Sequence, residues 1–179
     1  IDWVISAYES DQTIELPALI VFGPFMSREK RKEFTDRIAR LPKLESIGFE
    51  PRLELLMNRA HCVVAMGGYN TFCEILSFDK PALIVPRVKP RLEQAIRAER
   101  ADSLRLIDVL HDPVQNGEGQ RDPLQMARAL CALPTRQPPS QAFLPNLLDG
   151  LPAISRALAD NLASPVRGRT LAQNAMAAG

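Results

Sequence analysis

The chain has 179 residues, 46% of them hydrophobic and 24% charged, the balance of a globular protein with one substantial core and not of a disordered, coiled-coil or collagen-like chain. Its 22 Lys and Arg against 21 Asp and Glu leave a formal charge of +1, without the basic excess of a dedicated nucleic-acid binder. The three cysteines (Cys62, Cys73 and Cys131) match no metal spacing and the two histidines, His61 and His111, lie far apart, so neither a disulfide framework nor a metal site is expected.

The first residues are ambiguous, because Trp3, Val4, Ile5, Ala7 and Tyr8 suit a short helix or a strand equally. Pro17 to Gly23 is a short run of β-formers closed by Gly23-Pro24 and predicts a buried strand. Phe34, Ile38 and Leu41 then recur at helical spacing among charged residues after Ser27, a surface helix with Ser27 as its N-cap. A strand over 44–49, a helix over 52–59 and a strand over 62–66 follow. The alternation continues with a helix over 70–78, a strand over 82–85 stopped by Pro86, a helix over 92–100, a strand over 104–107 and a helix over 123–131. Strands alternating with helices, and apolar along their whole length, predict a parallel sheet covered on both faces. The fold class expected is therefore α/β, a Rossmann-like three-layer αβα domain with a mainly parallel sheet.

That domain is expected to occupy 1–133. Pro134, Pro138, Pro139, Pro145 and Pro152 crowd one stretch, so 134–163 reads as a wrap ending in a helix (Ile154, Leu158, Leu162) that packs back onto the same domain, and 164–179 as a mobile tail. The longest apolar stretches, such as Leu16 to Phe22 and Ala82 to Val85, fall far short of the roughly 20 residues of a membrane helix. The chain begins Ile1-Asp2-Trp3 and reads as a fragment of a longer protein.

In an open parallel sheet, ligands bind beyond the carboxyl ends of the strands. The loops there are Gly23 to Arg28, Gly67 to Thr71 and Pro86 to Arg91. Gly67-Gly68 before Asn70-Thr71 is either a tight turn or a place where backbone N–H groups and a helix dipole receive phosphate. Thr71-Phe72-Cys73-Glu74 fits a capping box; the alternative is that the Glu74 carboxylate binds the two hydroxyls of a ribose. Arg87, Lys89, Arg91, Arg97, Arg100 and Arg105 are a solvated surface or an anion-attracting rim. Glu93-Gln94 is a polar first turn or a pair for sugar hydroxyls. His61 and the cysteines read as structural, the thiols as buried small apolar groups.

Taken together, Phe49-Glu50-Pro51, Val63 through Glu74, Pro81 through Arg87 and Glu93 through Ala98 resemble the C-terminal half of GT-B glycosyltransferases. The resemblance is nearest to the branch of the MurG-type UDP-N-acetylglucosamine transferase of lipid II synthesis and its bacterial relatives, and it covers roughly residues 17 to 132. It implies one half of a GT-B fold that binds a nucleoside-diphosphate sugar, UDP-linked, for hexosyl transfer to an acceptor hydroxyl. Carried over by position, it implies that Phe49 and Glu50 approach the base, that Gly68, Tyr69, Asn70 and Thr71 serve the diphosphate, that Glu74 binds the ribose, and that Glu93 and Gln94 touch the sugar; Gly23, Arg28, Gly67 and Arg87, on the loops after the strands, are the further candidate residues for binding the nucleotide sugar. The first loop reads Gly-Pro-Phe-Met where the lipid II enzyme has a more glycine-rich turn, and Glu93 stands in place of a Gln. The resemblance further implies no bound metal or cofactor, and a cytoplasmic enzyme able to touch the inner membrane peripherally. It also implies an N-terminal partner domain carrying the acceptor site and general base, without which the fragment binds donor but does not turn over. A UDP-sugar 2-epimerase on the same fold and a non-catalytic interaction module are the alternatives.

Overall fold

The computed structural model describes residues 1–142 and 150–163, and the chain divides into two units, Ile1–Phe143 and Leu144–Gly179. The first unit runs α1 (Asp2–Ser10), β1 (Ala18–Val21), α2 (Arg28–Ile38), β2 (Leu44–Ile47), α3 (Leu53–Arg59), β3 (Val63–Ala65), α4 (Tyr69–Ser77), β4 (Ala82–Ile84), α5 (Glu93–Ser103), β5 (Asp108–Val109), α6 (Pro113–Asn116) and α7 (Pro123–Ala132). In the second unit the described element is helix α8 (Gly150–Ala163). The tail expected at 164–179 lies outside the described residues.

The strands form a β1-β2 sheet and a β3-β4-β5 sheet among the described residues, and every pairing is parallel. Strand β4 is buried along its whole length. Its Leu83 enters a cluster with Trp3, Ile20, Phe22, Phe34 and Leu130. Ala82 and Ile84, which strand alternation turns to the opposite face, are buried outside that cluster, as are Ile75 of α4 and Ala95, Ala98 and Ala101 of α5. Helices thus cover both faces at β4, whereas Leu19 of β1 and Val64 of β3 are exposed, so the first strand is only partly buried where a buried one was expected; the architecture is the Rossmann-like αβα sandwich expected.

The ambiguous first residues form a helix because a helix buries Trp3, Ile5, Ala7 and Tyr8 together against α7. Trp3 Nε1 donates to the Asp122 carbonyl at 2.8 Å and Tyr8 Oη to that of Leu16 at 2.8 Å, so both polar tips are satisfied. Ser27 caps α2 as expected, accepting from Lys30 N at 3.2 Å.

The fifth strand stands later than 104–107. Helix α5 ends in a Schellman motif, with Leu106 N bonded to Ala101 O at 3.0 Å and Arg105 N to Asp102 O at 2.8 Å, and Arg105 takes φ +60° where glycine is usual. That motif uses up the residues expected to pair, so the ladder begins at Asp108. Helix α4 ends the same way on Asp79 at φ +54°, with Lys80 N to Ile75 O at 3.0 Å and Asp79 N to Leu76 O at 3.1 Å. Asp79 then holds the proline-rich segment, accepting from Ser140 N and Ser140 Oγ at 2.7 Å each. The thiols depart from expectation too: Cys62 and Cys73 are half-buried and Cys131 is exposed, because residue 131 falls on the outer side of α7, away from the buried Met126, Ala127 and Leu130.

Arg37 of α2 ties down α1. Its guanidinium meets Asp2 Oδ1 and Glu9 Oε2 at 2.7 Å each, and its hydrogen bonds hold both carboxyls below their ordinary values of 3.8 and 4.5. A lowered folded-state value stabilises the fold above the ordinary carboxylate range, and the stabilisation disappears as pH falls through the folded value. Urea midpoints measured from about pH 7 down to about pH 3 are therefore expected to fall more steeply for the wild type than for Arg37→Met. Parallel profiles would mean that these pairs add nothing to stability.

Candidate functional site

Parallel register sets the site. Ala65 pairs with Ile84 and Ile84 with Val109, so the chain leaves β3, β4 and β5 along one edge, and the segments 66–71, 85–92 and 110–116 meet there.

The segment after β3 turns at Gly67, which is buried and holds φ +75°; a Cβ built on it would stand 2.8 Å from Ile84 Cγ2. Only glycine accepts both conditions. Gly68 is the N-cap of α4, and Phe72 N closes the first turn on Gly68 O at 2.8 Å. The N–H groups of Tyr69, Asn70 and Thr71 accordingly point out of the helix start with no partner inside it. The capping box is overturned: with the helix beginning at Tyr69, Thr71 is its third residue, Gly68 takes the cap, and no side chain caps the helix. Glu74 is thereby released from a capping role. It is half-buried, and at spacings of three and four it shares a face with Thr71 and Asn70.

Helix α5 ties the two neighbouring loops. Arg97 Nη1 donates to Gly67 O at 2.9 Å, and its guanidinium lies 5.4 Å from the centre of the Tyr69 ring, a cation–π contact. Gln94 Oε1 accepts from Arg87 N at 3.3 Å, leaving the Gln94 amide NH₂ for a ligand, and Glu93 is exposed in the first turn. In the sequence Arg97 reads as one of the local cations and not as a site residue. The signal that could have found it is its spacing, one turn beyond Gln94 on the same helix.

The run of six cations is divided by the fold. Arg87, Lys89 and Arg91 stand on the loop after β4 and Arg97 beside the glycine turn, whereas Arg100 lies in the last turn of α5 and Arg105 just beyond it, away from the strand ends. Among the described residues none of the six is in a salt bridge.

Gly23, Arg28, Phe49 and Glu50 form a second group, at the ends of β1 and β2, where Phe22 N bonds to Ile47 O at 3.1 Å. Gly23 has open space around its missing Cβ. Phe49 is 59% exposed, and Glu50 Oε1 accepts from Arg52 N at 2.8 Å, which fixes the approach to α3. No hydrogen bond or ion pair joins this group to the glycine turn among the described residues. An open groove of about 590 Å³ lies on the far side of the loop after β4, lined by residues including Lys89, Leu92, His111 and Gln115. The glycine turn is an exposed shelf outside it. Among the described residues no three His, Cys, Asp or Glu side chains are grouped to hold a metal ion, and no helix is long and apolar enough to cross a membrane.

The model of the glycosyltransferase family 28 C-terminal domain matches residues 4–103, more than half of the 179 residues. The chain belongs to this family. No curated protein matches it closely enough to count. Among solved structures, it is similar to the glycosyltransferase VinC in complex with DTDP, with TM-score 0.55 and 22% identity, over 72% of this chain and 28% of that one. It is also similar to CalG4, the calicheamicin glycosyltransferase, with TM-score 0.61 and 18% identity, over 93% of this chain and 39% of that one. At such identities the likeness concerns the fold, that of GT-B glycosyltransferases, of which this glycosyltransferase 28 domain is the C-terminal half. The chain spans well under half the length of either.

Proposed function

We propose that this glycosyltransferase domain binds the nucleoside-diphosphate sugar donor, UDP-linked, of an enzyme that transfers a hexosyl group to an acceptor hydroxyl. The observation that carries the proposal is the shelf at the ends of β3 and β4. There the unpaired N–H groups of Tyr69, Asn70 and Thr71 stand beside Arg97 on the glycine turn, across from the free cations of the neighbouring strand's loop. A helix N-terminus with a cationic rim suits a diphosphate. Glu74, one turn further in, is free to take the ribose diol, and Gln94 and Glu93 stand over the sugar end. Phe49 and Glu50 serve the base, with Gly23 and Arg28 on the adjoining loop.

In transfer, the acceptor oxygen attacks the anomeric carbon and the bond to the diphosphate oxygen breaks. The negative charge that grows on the leaving diphosphate is met by the α4 N–H groups, Arg97 and Arg87, groups already in place before the reaction. The acceptor site and the general base belong to a further domain of the intact protein, so donor binding without turnover is expected of this chain.

Calorimetric titration of UDP, GDP, ADP, DTDP and UDP-N-acetylglucosamine tests the assignment. UDP is expected to bind, and Glu74→Ala to weaken it by about 10- to 100-fold, the worth of hydrogen bonds to a charged group, with the melting temperature of the free protein unchanged. Preference for DTDP would correct the base. No binding at millimolar concentration to the chain or to the intact protein would sink the donor-site assignment.

A further inference from the structure

Asp112 is the buried charged residue of the described chain, at 3% exposure, and it lies outside the family match at 4–103. Its carboxylate accepts four hydrogen bonds: Oδ1 from Val114 N and Arg121 Nε, both at 3.1 Å, and Oδ2 from Gln115 Nε2 at 2.9 Å and Arg121 Nη2 at 2.7 Å. A carboxylate only accepts, so the Gln115 amide must turn its NH₂ toward Asp112. Its carbonyl then faces the other way, and there Gln115 Oε1 accepts from Val88 N at 3.2 Å, a backbone group that only donates. Both ends of the amide are fixed by partners of opposite character. Arg121 is held in turn by Asp2 at 3.3 Å, and Asp2 by Arg37 at 2.7 Å, so the chain of contacts runs from α1 and α2 to the loop after β4.

We infer that Gln115, oriented by Asp112 and Arg121, is a positioning residue that fixes the loop carrying Arg87 for the donor's diphosphate. The inference rests on the donor-site proposal for its functional part. Val88 follows Arg87 directly, and with Arg87 N held by Gln94 the loop backbone is pinned at two successive residues by two different elements. Without Gln115 the exposed loop keeps one of these holds, and Arg87 spends less time over the diphosphate.

The full chain is compared as wild type, Gln115→Leu, Arg87→Ala and the double variant, with Gln115→Ala standing in should the leucine variant not fold. UDP and uridine are the probes. Arg87→Ala is expected to weaken UDP by about 10-fold or more. Gln115→Leu is expected to weaken UDP by about 5- to 10-fold and uridine less than twofold, and the double variant to bind UDP within about twofold of Arg87→Ala, because the two lose one shared interaction. A merely structural role for Gln115 moves melting and both ligands alike. UDP affinity within twofold of wild type in Gln115→Leu, or losses that multiply in the double variant, would overturn the inference while leaving the donor site standing. Amide hydrogen exchange gives a readout independent of ligand: Val88 N–H is expected to exchange about tenfold faster in Gln115→Leu with Ile84 N–H unchanged, and equal exchange at Val88 overturns the positioning role. A wild type that binds no UDP fails the donor-site proposal itself and takes the functional part of the inference with it.

Discussion

Gly67→Ala is expected to destabilise the domain by about 2–5 kcal/mol, from a left-handed backbone that costs an L-residue about 1–2 and an overpacked contact that costs about 1–3. Both terms arise at one position: φ is +75° and the new methyl would meet the buried Ile84 side chain at 2.8 Å. Ile84 cannot swing away, because it lies in the central strand at 0% exposure. The neighbouring glycine is the control. Gly68 has φ −54° and nothing within 4 Å of the place a methyl would take, so Gly68→Ala is expected to cost less than about 1 kcal/mol, the loss of a permissive N-cap. Urea unfolding of both variants separates a turn required by backbone and packing from a glycine pair that is simply flexible. Equal effects would refute the assignment of the turn to Gly67. Because the same residue gives its carbonyl to Arg97, Gly67→Ala is also expected to weaken UDP binding beyond what the loss of folded protein explains, while Gly68→Ala leaves Arg97 in place.

What was legible in the sequence followed from local pattern. The apolar runs at 18–21, 63–65 and 82–84 are strands because they are β-rich, short and closed by Gly or Pro. Ser27 caps its helix because the hydroxyl precedes a clean amphipathic run. The order of the blocks from Phe49 to Ala98 gave the family. The misplaced fifth strand shows where local pattern fails: α5 runs on to Ser103 and stops at Arg105 with positive φ, and with no glycine to mark that stop the helix was expected to end at 100 and the strand to begin at 104. The capping box failed for a related reason. Thr-x-x-Glu has the right spacing at 71–74, but the chain is already helical at Tyr69, since Gly67 makes the turn early enough for the helix to start three residues sooner.

The site was legible only within single loops. Gly67 through Thr71, Arg87 and Gln94 share a strand edge, and the sequence places them there once the strands are known. Contacts between distant elements were not readable: Arg97 reaches Gly67 across 30 residues, and Gln115 reaches Val88 across 27. For Arg97 the sequence offers only its spacing from Gln94, and nothing in a single sequence distinguishes Gln115 from a solvated side chain. Asp112 was equally hidden, because burial of a carboxylate is decided by Arg121, Gln115 and Val114 arriving around it.

Asp112→Ala is the second large effect, expected to cost about 2–4 kcal/mol. Removing one member of a buried ion pair leaves the other uncompensated, and here Arg121, Gln115 and the Val114 N–H lose an acceptor at once. Arg121 is one-third exposed and retains Asp2, which keeps the loss below that of a fully buried pair. Asp112→Asn preserves shape and one accepting oxygen, so it is expected to cost roughly half as much. The effect also has a sign in pH. Burial pushes the Asp112 carboxyl up, but the hydrogen bonds from Arg121 and Gln115 outweigh it and hold the group below its ordinary 3.8. Its stabilisation is therefore complete above that value and fades as the pH falls through the lower folded value. Unfolding free energies of wild type and Asp112→Ala are expected to differ most at about pH 7 and to converge toward about pH 3. A difference that stays constant over that range would mean that packing, and not the charge of the carboxylate, is what the chain draws on at Asp112.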